Sequence, residues 1–117
     1  MIWDLTAGRR PGHAASMQRM KEDIMKFVYL IMGRYDTRRD RAAIQDGGTR
    51  IIGVSDIDEA CMVAKELCDE GVDCIEVCGA FGEAGARKVI AATENRVPVG
   101  YVVHLPEQDG LFDALFG

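Results

Sequence analysis

Residues 50–78, RIIGVSDIDEACMVAKELCDEGVDCIEVC, read as strand, helix, strand. Arg50–Val54 is a short apolar run of strand length, and Ser55 or Asp56 then stands where a helix needs an N-cap. From Ile57 to Glu70 the apolar positions Ile57, Cys61, Ala64 and Cys68, supported by Ala60 and Leu67, recur at helical spacing. Gly71 follows, the residue best able to end a helix in the left-handed conformation. Val72–Cys78 is the second strand of the unit. A strand, a helix and a strand in this order predict a crossover between parallel strands.

The same alternation extends in both directions. Phe27–Met32 (FVYLIM) is a continuous apolar run and predicts a buried strand. Asp36–Gln45 predicts a short helix, capped by Asp36 and stopped by Gly47-Gly48. On the other side, Ala84–Glu94 predicts a helix, Val97–Leu105 a strand entered through Pro98, and Leu111–Phe116 a short apolar helix. The expected fold is therefore α/β: a small three-layer domain with a mostly parallel four-stranded sheet flanked by helices.

Bulk properties narrow the function. The chain has 117 residues, enough for one domain with a real core. Its formal charge of −5 argues against nucleic acid as main partner, because a phosphate backbone needs a basic surface. No run reaches the length of a membrane span, and no apolar segment follows Arg9 and Arg10 as a secretory signal requires. The four cysteines, Cys61, Cys68, Cys74 and Cys78, form no CxxC pair and no metal-type spacing. They read as reduced thiols of a cytoplasmic protein, the first three as small buried hydrophobes. Charge is uneven: residues 26–50 carry Lys26 and five arginines against three aspartates, on an otherwise acidic chain.

From Met25 onward the chain resembles an uncharacterised family of short bacterial proteins, a domain of unknown function. The resemblance is carried by Gly53-Val54-Ser55-Asp56, by Glu70-Gly71-Val72 leading into Ile75-Glu76-Val77-Cys78-Gly79-Ala80-Phe81-Gly82, and by Val97-Pro98-Val99-Gly100. It implies the α/β fold and supplies no functional residue. Residues 25–117 are thus expected to form a single domain, with residues 1–24 an N-terminal extension. Two readings of that extension stay open. Lys21-Glu22-Asp23 can be encoded by purine-rich codons resembling a ribosome-binding sequence ahead of Met25, which would make the extension translated upstream sequence. Met17, Met20 and Ile24 alternatively suggest a docking helix.

In open α/β sheets, ligands bind beyond the carboxyl ends of the strands, which selects the candidate residues. Glu76 lies at the centre of an apolar strand, where a carboxylate needs a partner; it reads as a general acid or base, or as a structural anchor. His104 ends the following strand, and Cys78, a possible nucleophile, could face it there. Gly79, Gly82 and Gly85 separate strand from helix, so that backbone amides could approach an anion or the turn could pack tightly. Arg34, Arg38 and Arg39 of the basic loop are the side chains best suited to hold a carboxylate or phosphate. Together these residues predict a domain that binds a small anionic metabolite at the strand ends and assembles as a homo-oligomer, partly through Leu111, Phe112, Leu115 and Phe116. The alternative is a cofactor-free enzyme moving protons with Glu76 and His104, Cys78 contributing. No cofactor or metal site is expected in either case.

Overall fold

The structure is a computed structural model, and it describes residues 24–117. Both readings of the N-terminal extension lie outside the described residues, apart from its last residue, Ile24.

The βαβ unit forms as its sequence dictates. Strand β3 (Thr49–Val54) leads into helix α1 (Ile57–Glu70) and then into strand β4 (Cys74–Val77). Asp56 caps α1 by accepting the Glu59 N–H at 2.8 Å. Glu59 reaches back in turn to accept from the Ser55 amide and hydroxyl at 2.7 and 3.0 Å, so each end satisfies the other. Gly71 closes the helix at φ 94°, its amide returning to Leu67 and Cys68.

Strand β1 (Phe27–Met32) lies between β3 and β4, parallel to both. Helix α2 (Gly82–Ala92) carries the chain from β4 to β5 (Val99–Tyr101), which pairs parallel with β4. The sheet order is β2-β3-β1-β4-β5, five strands rather than the expected four.

The additional strand is β2 (Arg41–Ile44), which occupies the end of the expected helix over 36–45. Asp36 does organise a turn, accepting the Arg38 and Arg39 amides at 2.9 and 3.2 Å, but the turn does not propagate. The segment has no apolar stripe to bury, whereas the free edge of β3 offers a row of backbone partners. Arg41 to Ile44 therefore pair antiparallel with Ile52 to Thr49. Gly47-Gly48, expected as a helix stop, forms part of the hairpin turn. Gln45 and Asp46 reach it at φ 54° and 53°, a strained conformation for residues with a side chain.

The buried apolar side chains of the strands point to one face. Val28, Leu30, Ile52, Val54, Ile75 and Val77 are within 1 % of complete burial, packed with Ala60, Val63, Ala64 and Leu67 of α1 and Ala86 and Val89 of α2. Helices α1 and α2 touch each other across this face. The fold is α/β with a mostly parallel sheet flanked by helices, as expected, but both crossover helices pack on this one face. A full third layer would need a crossover helix on the opposite face. The reason is topological. The β1-to-β3 connection runs opposite to the others and would place a helix there, but the β2 hairpin takes its place. The opposite face carries Phe27, Tyr29, Ile31, Ile51, Cys74 and Glu76, half-buried to exposed.

Candidate functional site

The strand order reverses between β1 and β4, and a crevice at such a switch point is where open α/β sheets bind ligands. There the end of β1 is tied to the end of β4: the Met32 amide donates to the Cys78 sulfur at 3.3 Å, and the Cys78 amide to Leu30 O at 3.0 Å. A cavity of about 760 Å³ opens above this tie. Ile31, Met32 and Cys78 form its floor, Gly79, Ala80 and Gly82 one side, and Tyr35 and Tyr101 flank it. Helix α3 (Asp109–Phe116) supplies the remaining wall with Phe112, Asp113 and Phe116.

Tyr35 reaches the cavity because two glycines let its ring lie flat on the sheet. A Cβ on Gly53 would fall 2.6 Å from both Cβ and Cγ of Tyr35, and one on Gly33 would fall 2.8 Å from Cε2. Glycine within a strand commonly marks such a close approach.

His104 fixes α3 in place. Its Nε2 lies 2.7 Å from Asp109 Oδ1; a carboxylate only accepts, so this nitrogen carries the proton. The ring stacks on Phe112 with centroids 3.9 Å apart and planes 7° from parallel. His104 thus lines the cavity and also anchors one of its walls.

The glycine run divides its work. Gly82 sits at φ 62°, ψ −177°, a region open essentially to glycine alone, and turns the chain into α2. Gly85 is buried where a Cβ would come within 2.9 Å of Ile57 Cδ1, bringing α2 close to α1. Gly79 and Ala80 begin the 3-10 turn Gly79–Phe81, and their amides have no acceptor among the described residues. Glu83 in the first turn of α2 pairs with Arg87 at 2.8 Å.

Cys78, His104, Gly79 and Gly82 are therefore brought to one cavity, while Glu76, Arg34, Arg38 and Arg39 are absent from its lining. Glu76 lies on the helix-free face in register with Tyr29 and Gly100, its carboxylate along the bare Gly100 backbone. It has no hydrogen bond or ion pair with any described residue, so the expected pairing with His104 or a loop arginine is not formed. Half-burial on a face without a helix, rather than enclosure in the core, is what makes the carboxylate tolerable. Burial, then Cys78 and Glu76 nearby, push the Tyr29 phenol up. Arg39 leans on Asp40 at 3.8 Å, and the loop reaches the cavity with Tyr35 while its arginines stay outside the lining.

At Cys61, Cys68 and Cys74 the surroundings favour the protonated thiol. Burial raises the thiols of Cys61, Cys68 and Cys74, and for Cys74 the charges of Glu76 and Asp73 add to it. A protonated thiol is neither nucleophile nor metal ligand. Among the described residues no group of three His, Cys, Asp or Glu is arranged to hold a metal ion. No helix among them is long and apolar enough to cross a membrane.

Residues 25–117 match a family described as a family of unknown function, DUF6506. The chain belongs to that family. The DUF6506 region contains every strand of the sheet, the cavity and all its lining residues. No curated protein and no solved structure matches the chain. Tyr35, Phe112 and Asp109 were not expected as site residues. A glycine inside strand β3 signals the first, and the five-residue spacing from His104 to Asp109 hints at the last.

Proposed function

We propose that this domain binds a small molecule at the switch-point cavity through a flat or aliphatic body and one compact anionic group. One observation carries the reading: a cavity of about 760 Å³ at the ends of β1 and β4 combines an apolar, aromatic lining with the amides of Gly79 and Ala80, which have no acceptor among the described residues. Small-molecule sites have this character, mostly apolar with a few convergent polar groups. The described lining contains no lysine or arginine, so the anionic group would be held by the backbone N–H groups of Gly79 and Ala80 in the 3-10 turn ahead of α2, with His104 also in the lining. Binding by Arg34, Arg38 and Arg39 would instead need the basic loop to be the site.

Titration of the ¹⁵N-labelled protein with a panel of aryl and short-chain alkyl carboxylates and phosphates separates these arrangements. The expected result is a hit that shifts the Gly79 and Ala80 resonances and is weakened at least about tenfold by Phe112→Ala, which removes an aromatic wall. Arg38→Ala should leave it unchanged. A hit abolished by Arg38→Ala and indifferent to Phe112→Ala would move the site to the loop.

A second reading, proton-transfer catalysis, is favoured by Cys78 and His104 sharing the cavity. It predicts turnover of the bound compound that His104→Gln removes while binding persists. A bound compound recovered unchanged after long incubation leaves a binding domain.

A further inference from the structure

The two edges of the sheet are guarded very differently. Strand β2 carries Arg41 and stands beside the basic loop, so that two copies meeting there would bring like charges together. The β5 edge has no such protection. From Val97 to Leu105 the chain carries no Asp, Glu, Lys or Arg. Pro98 O accepts from Ile75 and the Val102 amide donates to Val77 O, so the alternate residues Val99 and Tyr101 turn their backbone groups outward, with Val103 next in line.

The apolar surface continues past this edge. Val103 is 69 % exposed, Leu105 65 %, and on α3 Leu111, Leu115 and Phe116 are 68 %, 75 % and 77 % exposed. With Tyr101, Val102 and Phe112 also partly exposed, eight large apolar residues between 101 and 116 face outward or into the cavity mouth, a number that can fill the apolar core of a standard interface of roughly 800 Å² per partner. A patch of this size on one side of a small domain marks an interaction site.

We infer that the β5 edge and helix α3 form the interface of a symmetric homodimer, in which β5 of one subunit pairs antiparallel with β5 of the second copy and joins the two sheets. A second copy is the occupant because an uncharged strand edge is its own complement: a two-fold axis near Tyr101 sets Val99 opposite Val103 of the partner subunit and satisfies the outward groups of both. The same axis brings together the exposed leucines of α3, which have no other cover among the described residues. The interface borders the cavity, since Tyr101, Val102, Val103, Phe112 and Phe116 also line it, whereas Leu105, Leu111 and Leu115 do not.

The full chain is tested by sedimentation equilibrium together with amide hydrogen exchange. The expected mass is twice the 12.9 kDa of one chain, with slow exchange at Tyr101 and Val103. Two variants attack the interface separately. Val103→Pro removes an outward N–H that makes no bond to any described residue, and Leu115→Lys places a charge on the exposed stripe of α3. Each should raise the dimer dissociation constant at least about 100-fold with the far-UV spectrum unchanged. A 12.9 kDa species at every concentration up to the solubility limit overturns the inference. So does a dimer that both variants leave intact, or one whose Tyr101 and Val103 amides exchange freely.

Discussion

Replacing Gly53 with alanine tests the link between a strand glycine and the cavity wall. The added methyl would sit 2.6 Å from two atoms near the root of the Tyr35 side chain, where rotation of the ring gives no relief. Either Tyr35 is expelled from its seat or β3 shifts against β1, with which Gly53 is in register at Ile31. Overpacking of this kind costs about 2–3 kcal/mol. For a domain of this size that lowers the urea midpoint by about 1–2 M. The control is the same substitution in a Tyr35→Ala background, where the obstacle is gone. Alanine is better than glycine inside a strand by about 0.5–1 kcal/mol, so the sign should reverse and the double variant should be slightly more stable than Tyr35→Ala alone. Urea unfolding followed by far-UV circular dichroism measures all four proteins. The reasoning fails if Gly53→Ala costs less than about 0.5 kcal/mol, or if its cost is the same with and without the Tyr35 ring.

Three further outcomes are expected. Gly82→Ala should destabilise by about 1–3 kcal/mol, because φ 62° with ψ −177° excludes a Cβ; thermal unfolding reads this directly. Cys74 should alkylate more slowly than a free thiol at pH 8, and Glu76→Gln should speed the reaction modestly by removing one of the two charges that add to the effect of burial, as peptide mass spectrometry will show. The Asp36 carboxyl is held below its usual 3.8 by the Arg38 and Arg39 amides, so the turn gains from its ionised form above that value and loses the gain as pH falls through the lowered one. Both amide resonances should titrate together with a midpoint below 3.8, and a midpoint above it would contradict the turn.

The sequence carried the helical parts of this fold well because their signals are local. Asp56 and Gly71 bracket α1 where expected, and the apolar spacing places its inner face correctly, although Val63 rather than Cys61 or Cys68 is the deeply buried partner of Ala60 and Ala64. Strand β2 was illegible because its cause is remote: four residues with weak preferences are drawn to the open edge of β3. The run from Val97 to Leu105 looks like one long strand, yet only Val99–Tyr101 pair, since β4 ends at Val77 and leaves nothing further to bond. At the site, the strand-end rule selected Cys78, His104, Gly79 and Gly82. It misjudged Glu76 because alternation along a strand tells which residues share a face, not which face the helices cover. That depends on the direction of every crossover at once.

The way α3 is mounted has a consequence for timing. The inner face of the sheet is sealed by residues with almost no exposure, whereas α3 is tied to the preceding segment by the His104–Asp109 hydrogen bond and the Phe112 stack. Segments with few buried contacts open at a much smaller cost than the whole domain. If the cavity holds a ligand as proposed, its release from a single chain waits only for α3 to swing away, and its residence time would follow that helix rather than the stability of the fold. Clamping the helix between two subunits would lengthen the stay without changing a single atom of the cavity lining.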